Sequence, residues 1–490
     1  MEWKKLLTQA RLIEDKEDPK AFNDYYISPF ERDYEKIVSS AVFRRLQDKT
    51  QVFPLAKSDF VRTRLTHSIE VSTIAKQLGI MCFQNTSAYV LLPIDKDEEH
   101  SENLKMKRNG DIEAILSCAG LLHDIGNPPF GHVGESIIRE WFEKNLKGDS
   151  PLKCHNGTPV YDELNDKMMN DLLNFEGNAQ AFRIMAKAQY KSEINLPFSI
   201  LSSMVKYPTR SHEINRKITI RKKIGCYQAE ESSFIQIATE VGTITKDGAI
   251  IRHPLSYLVE AADDIAYGTA DLEDAVNSGV VSVDELLTFF LSRYQELGIK
   301  NDETPQHIDR TKEVIDELDL LNKNEEDKTK VMEQWSTYLR KWLMYVVCWR
   351  FSKDYTNILK GNFTKDLFHD TNHSLTIELL KEAMAKLVFN SRVIIEPEVS
   401  AQTILNFLLD KFVPVMVQFE DNEKMTAQER NILNLIPSNY INDYFESKNI
   451  NCHIMDKAEL LYRRILVATD FISSMTDGYA KNLYKKMSGI

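Results

Sequence analysis

The sequence predicts a mainly α fold, and three observations carry that expectation. Apolar residues recur at three- and four-residue intervals along most of the 490 positions, the spacing that lines one face of a helix. Glycine and proline are sparse, at 18 and 15 residues, so few points in the chain force a break. With 43% hydrophobic and 27% charged residues, the chain has material for a large core and a charged surface, which excludes wholesale disorder.

Taken in order, the first well-marked element is a helix from Arg64 to Leu78, stopped by Gly79. The polar, highly charged stretch from Asn85 to Gly110 reads as a mobile surface insertion. A second helix is expected from about Ile112 to Asp124, with Asp111 as N-cap and Gly126-Asn127-Pro128-Pro129 as its stop. Between Phe234 and Arg252 the runs FIQIATEVGTI and AIIRH flank Lys246-Asp247-Gly248 and predict a small β-hairpin. Pro254 suits the first turn of a helix through LSYLVEAADDIAYGTADLEDAV, and further helices fill the chain beyond Asp284. There is no convincing internal repeat.

The net charge of −12 argues against a generally basic nucleic-acid-binding surface, so an anionic ligand must be met by a local cluster. The cysteines Cys82, Cys118, Cys154, Cys226, Cys348 and Cys452 are dispersed, with no CxxC pair, as expected in a reducing cytoplasm. The longest apolar stretch, Trp342 to Trp349, is far short of the roughly 20 residues that span a bilayer, so no membrane association is expected.

His123 and Asp124 stand together near the end of an apolar helix, where an ionisable pair is costly to bury without a partner. Read alone, the dipeptide fits a helix end with a capping histidine. His67 in RLTHSIEV and Asp263 in VEAADDIAY, however, add an imidazole and a carboxylate among apolar residues on other helices. Such helices can converge so that these groups bind a metal ion. A mixed nitrogen and oxygen shell accommodates manganese, magnesium, iron or zinc. An ion there would polarise a phosphate oxygen and lower the pKa of water.

The ordered set His67, His123-Asp124 and Asp263 resembles the H…HD…D motif of the HD superfamily. The blocks FRRLQDKTQVF, TRLTHS, HDIGNPPFGHVGE, FEGNAQ, KYP, HPLSYLVEAADDIAY and DFISSMTDGYA are similar, in the same order, to those of the bacterial dGTPase family. The resemblance spans roughly Phe43 to Ala480 and is weak after Asn85 and through much of 285–455. It implies an HD-domain helical bundle in one large unit, with a catalytic core over approximately 40–285. The helical region at approximately 286–490 would complete a nucleotide pocket. It also implies manganese or magnesium, a dNTP substrate with dGTP foremost, and an even-numbered homo-oligomer.

In GNPPFGHVGE, His132 falls just before a new helix with Glu135 one turn on, a spacing suited to a paired acid/base unit or to a capping histidine. The resemblance makes His132 the catalytic histidine and Glu135 its orienting partner. Asp263, Tyr267 and Asp271 recur every four residues along one helix face. By resemblance Tyr267 packs on the deoxyribose and Asp271 takes the 3′-hydroxyl, whereas Tyr267 taken alone fits core packing equally. Arg64, one turn before His67, and Lys206-Tyr207 are phosphate-binding candidates. Gln51 and Val52 resemble the pair that meets the sugar hydroxyl and the base. Arg463 and Arg464 are offered as guanine readers.

The segment Lys206 to Lys223 holds Lys206, Arg210, Arg216, Lys217, Arg221, Lys222 and Lys223 against Glu213. It reads as a contact for single-stranded DNA or an effector nucleotide, or as a solvated face, since no aromatic platform interleaves the charges. Two other functions stand beside the dNTP hydrolase. One is an HD phosphohydrolase acting on a monophosphate, a cyclic dinucleotide or a guanosine alarmone. The other is a nucleotide-sensing or single-stranded-DNA-binding protein without turnover.

Overall fold

The structure is a computed structural model that describes residues 1–13, 28–54, 61–83, 102–190, 194–298, 310–419, 425–450 and 455–490. The described residues are mainly helical, as expected, and extended pairing among them is confined to isolated bridges. The helices that build the site are α1 (Arg64–Phe83), α2 (Glu102–Leu122), α3 (Gly131–Lys147), α4 (Gly177–Tyr190), α5 (Pro254–Asn277), α6 (Lys328–Lys353), α7 (Arg392–Gln418), α8 (Lys457–Ser473) and α9 (Asp477–Ser488). Among the described residues, no helix is long and apolar enough to cross a membrane.

Helices α1, α2, α5 and α6 pack on one another around a core that includes Val71, Leu116, Ile265 and Leu343. A second core joins α3 to α7 and α8 through residues such as Ile138, Phe142, Leu408 and Phe471. The most extensive contact between helices is that of α1 with α2. A Cβ on Gly120 would lie 2.6 Å from the Ser72 Cα, so only glycine lets the two backbones meet there. The Ser72 hydroxyl spans the same crossing and donates to the Ser117 carbonyl at 2.9 Å.

Gly79 does not stop α1, which runs on to Phe83. A side chain at Gly79 would crowd Leu116, with its Cβ 2.6 Å from Leu116 Cδ1, so this glycine too serves the packing of α2. Asp111 is likewise not an N-cap. Helix α2 begins nine residues earlier at Glu102, and the Asp111 carboxylate accepts a hydrogen bond from Ser28. The expected insertion falls partly outside the described residues, at 85–101, and the rest of it is already helical.

The predicted hairpin does not form. FIQIATEV lies in a helix, Glu231–Val241, which buries Phe234, Ile237, Ala238 and Val241, a three-and-four spacing that prevails over the β-branched composition. The Asp247-Gly248 turn does exist, with Gly248 at φ 79°, but it closes only the isolated bridge Ile244–Ile250. Pro254 opens α5 as expected, and His253 caps it, its ring accepting from the Leu255 N–H at 3.1 Å. Most residues of α5 are buried, which makes it the central helix of the fold.

Candidate active site

A cavity of about 640 Å³ opens where α1, the end of α2, the start of α3 and the middle of α5 meet. It brings together Gln51, Val52, Arg64, His67, His123, Asp124, His132, Lys206, Tyr207, Asp263, Tyr267 and Asp271. Glu135 stands directly behind His132. Buried polar atoms without a hydrogen-bond partner gather on its wall: Gln51 Oε1, Arg64 Nε, His67 Nδ1, His123 Nε2 and both carboxylate oxygens of Asp271. Unpaired polar atoms are costly in a folded interior, so their concentration marks a place built for a polar ligand.

The imidazoles of His67 and His123 face each other with ring centroids 5.3 Å apart. Asp263 Oδ1 lies 3.2 Å from His67 Nε2 and 3.6 Å from His123 Nε2. These groups place one ligand atom each within 4.8 Å of one another, a donor set that fits a divalent cation. The Gly120 carbonyl, 2.7 Å from His123 Nδ1, orients the ring so that Nε2 points at the acids. Burial disfavours a charged His123, yet Asp124 and Asp263 outweigh it and raise its pKa to about 9. The acids therefore draw positive charge to this point. Asp124 sits at its edge, 3.6 Å from His123 Nε2, with its own oxygens bonded to the Arg64 guanidinium and, at 2.6 Å, to the Asn127 amide. Burial opposes charge on Asp124, but Arg64 and His123 hold it below the usual carboxylate range.

Cations line the adjoining wall. Lys206 reaches Asp263 Oδ2 at 3.4 Å and Glu260 at 3.8 Å; burial works against its charge, and Asp263 more than restores it. Lys222, Lys223 and Lys381 join it, the last two paired with Glu176 at 2.9 Å and Asp264 at 3.2 Å. The basic segment is thus divided. Lys206, Lys222 and Lys223 face the cavity, Arg210 pairs with Glu213 and Glu231, and Arg216 and Lys217 are exposed.

On the opposite side the turn after α2 runs through Pro128 and Pro129 to Phe130, which has a positive φ of 63°, and α3 then starts with Gly131. His132 projects from this first turn, its Nδ1 3.1 Å from Glu135 Oε2. Glu135 also accepts from the Gly177 N–H at 2.8 Å. Burial pushes the Glu135 pKa up, and His132 and Lys223 bring it below its ordinary value. Further along α5, Tyr267 is half-buried and Asp271 fully buried. Burial, with Asp274 nearby, raises the Asp271 carboxyl well above the carboxylate range, so it offers a hydroxyl-binding edge at low charge.

Several lining residues carry no local signal in the sequence. Lys381, Phe389, Ile394 and Glu398 reach the cavity from the C-terminal region, more than a hundred residues beyond Asp271. Asn127, which holds Asp124, reads in the sequence only as part of a helix stop. Arg463 is paired with Glu459 at 2.9 Å, and neither it nor Arg464 lines the cavity, because both lie on α8 away from the site.

A family model for the HD domain matches residues 64–153, the stretch that holds α1, α2 and the His132 turn. A "deoxyguanosinetriphosphate triphosphohydrolase-like protein" of Listeria monocytogenes is 38% identical over 100% of both chains. A protein of the same name from Pseudomonas aeruginosa is 31% identical, with 100% of this chain and 99% of that one covered. A "deoxyguanosinetriphosphate triphosphohydrolase" of Yersinia enterocolitica is 30% identical across 94% of this chain and 93% of its own.

Proposed function

The chain is an enzyme of the deoxyguanosinetriphosphate triphosphohydrolase family, and on that premise we propose that it hydrolyses a deoxynucleoside triphosphate, dGTP foremost, to the deoxynucleoside and inorganic triphosphate. The observation that carries the reading is the convergence, in one cavity, of a His/His/Asp cation site, a lysine wall and the unpartnered Asp271.

In this reading His67, His123, Asp124 and Asp263 hold manganese or magnesium, which when bound neutralises phosphate charge and activates water. Arg64, Lys206 and Tyr207 grip the phosphate chain, assisted by Lys222, Lys223 and Lys381. Water bonds to the α-phosphorus, the bond from phosphorus to O5′ breaks, and the deoxynucleoside leaves as its 5′-hydroxyl. His132, with Nδ1 engaged by Glu135, presents Nε2 to move the proton at O5′. Tyr267 packs on C2′ and leaves no space for a ribose hydroxyl, Asp271 and Gln51 take the 3′-hydroxyl, and Val52 lies against the base. Glu398 supplies a carboxylate that could accept from N1–H and the 2-amino group of guanine, a donor pair that adenine lacks.

The division into a core over approximately 40–285 and a region over approximately 286–490 that completes the pocket agrees with the origin of Lys381 and Glu398. A cytoplasmic setting rests on the dispersed cysteines, an effector role for single-stranded DNA or a nucleotide on the basic segment from Lys206 to Lys223, and a homo-oligomer on the family alone. Incubation with each dNTP and NTP in manganese, followed by product analysis, tests the reading. Deoxynucleoside with inorganic triphosphate is expected, fastest from dGTP. Monophosphate with pyrophosphate, or turnover confined to a cyclic or monophosphate substrate, overturns it.

A further inference from the structure

Behind the cavity, a buried carboxylate on the last helix ties together pieces of the site that are remote in sequence. Asp477, at the start of α9, accepts from the Phe130 N–H through Oδ1 at 2.9 Å. Its Oδ2 accepts from the Thr50 N–H at 3.1 Å and from the Thr50 hydroxyl. Beside it Lys49 donates to the Asn127 carbonyl and, at 2.8 Å, to the Ser473 carbonyl at the end of α8. Lys49, Phe130 and Asp477 are 3%, 4% and 3% exposed. Neither Lys49 nor Asp477 lines the cavity, whereas their partners Thr50, Asn127 and Phe130 do.

These partners matter for the chemistry. Asn127 bonds to Asp124, Phe130 immediately precedes the first turn of α3, and Thr50 adjoins Gln51. Phe130 holds a left-handed backbone that residues with a Cβ seldom adopt, so neighbouring contacts must maintain it. Its N–H, at the N-cap position of α3, is fixed by Asp477.

We propose that Asp477, supported by Lys49, is a positioning residue: it holds the turn from Asn127 to Gly131 so that His132 stands where the reaction needs it. Asp477 acts through His132 and touches no substrate. The inference rests on the acid/base assignment of His132 above. It also gives α9 a part in turnover although that helix contributes no side chain to the cavity.

The test is a double-mutant cycle on the full chain, measuring kcat and KM for dGTP with manganese in wild type, Asp477→Asn, His132→Ala and the double variant. Asparagine keeps the shape but turns an amide N–H towards a backbone N–H. It should lower kcat about ten- to hundredfold, the scale of a misplaced catalytic group, with bound metal unchanged. In the His132→Ala background the same change should cost no more than about twofold, since there is no histidine left to position. Hydrogen exchange of the segment containing Phe130 should accelerate in Asp477→Asn, independently of activity. A normal kcat for Asp477→Asn, or losses that multiply in the double variant, overturns the proposal. A His132→Ala enzyme with wild-type kcat removes its foundation, and that failure is visible in the single variant. If Asp477→Asn does not fold, Lys49→Gln serves instead: it replaces the amine that spans the Asn127 and Ser473 carbonyls with a shorter amide donor. It should lower kcat several-fold, again costing no more than about twofold on His132→Ala, and multiplying losses there count equally against the proposal.

Discussion

His132 and Glu135 form a hydrogen-bonded pair with one member in the open and the other sealed. Nδ1 and Oε2 are 3.1 Å apart, with side chains 78% and 2% exposed. A carboxylate so enclosed has few rotamers to visit, and the Gly177 N–H holds its other oxygen. The exposed imidazole thus borrows its orientation from a fixed anchor, leaving Nε2 free for proton transfer.

Replacing His132 with alanine should leave metal binding and dGTP affinity near wild type, because the cation ligands and lysines are untouched. The expected fall in kcat is on the order of 10² to 10⁴. Glu135→Gln should lose less, and the double variant should match His132→Ala. Single-turnover rates and dGTP titrations measure both quantities. A His132→Ala enzyme with normal kcat and weak binding would make His132 a phosphate ligand.

The facing imidazoles of His67 and His123 lead to a second expectation. His67→Ala, His123→Ala and Asp124→Ala should each lower bound manganese and abolish turnover, as read by elemental analysis of dialysed protein. Wild type should gain about 2.7 kcal/mol of stability at a metal concentration a hundred times the Kd, and the variants should gain little. Full activity with unchanged metal in any histidine variant would remove the site.

On α5 the two proposed sugar readers, Tyr267 and Asp271, can be separated. Tyr267→Ala should raise the rate on GTP relative to dGTP by opening space beside C2′, whereas Asp271→Asn should weaken both through the 3′-hydroxyl. The measured quantity is the ratio of kcat/KM values. Equal losses on both nucleotides for Tyr267→Ala would reduce the tyrosine to packing.

The His67, His123 and Asp263 cluster is legible in the sequence because histidine and carboxylate residues are conspicuous on otherwise apolar helices, as at His67 on α1 and Asp263 on α5. Helix type is legible for the same periodic reason. The features that escape a sequence reading depend on partners distant in the chain. Gly79 looks like a stop until Leu116 across the crossing gives it a packing role, and FIQIATEV looks like a strand because its β-branched composition masks its helical spacing. Lys381, Glu398 and Asp477 have ordinary local surroundings, so only the tertiary fold brings them to the site or to its supports.

A final expectation concerns stability and pH. His253 is 1% exposed at the N-terminus of α5, its Nδ1 accepting from the Leu255 N–H, so that Nε2 carries the proton towards the Leu6 carbonyl at 3.2 Å. Burial lowers its pKa to about 4. An unfolded chain binds that proton near 6.5, so between those values the unfolded state holds more protons and stability falls as the pH drops. From pH 7 to pH 4 the loss from this residue is about 3 kcal/mol, since each tenfold difference in proton affinity between the folded and unfolded chain is worth roughly 1.4 kcal/mol. Asp171 works the other way, because burial raises it to about 6 and its folded form takes up protons first. The total curve therefore mixes signs, and a comparison isolates the histidine. His253→Asn retains a capping side chain without a titrating ring. Its denaturation free energy should lie below wild type at pH 7, and the difference should move in its favour by about 3 kcal/mol on descent to pH 4. A gap between the two proteins that stays constant across that range would mean that His253 is not buried as a neutral ring.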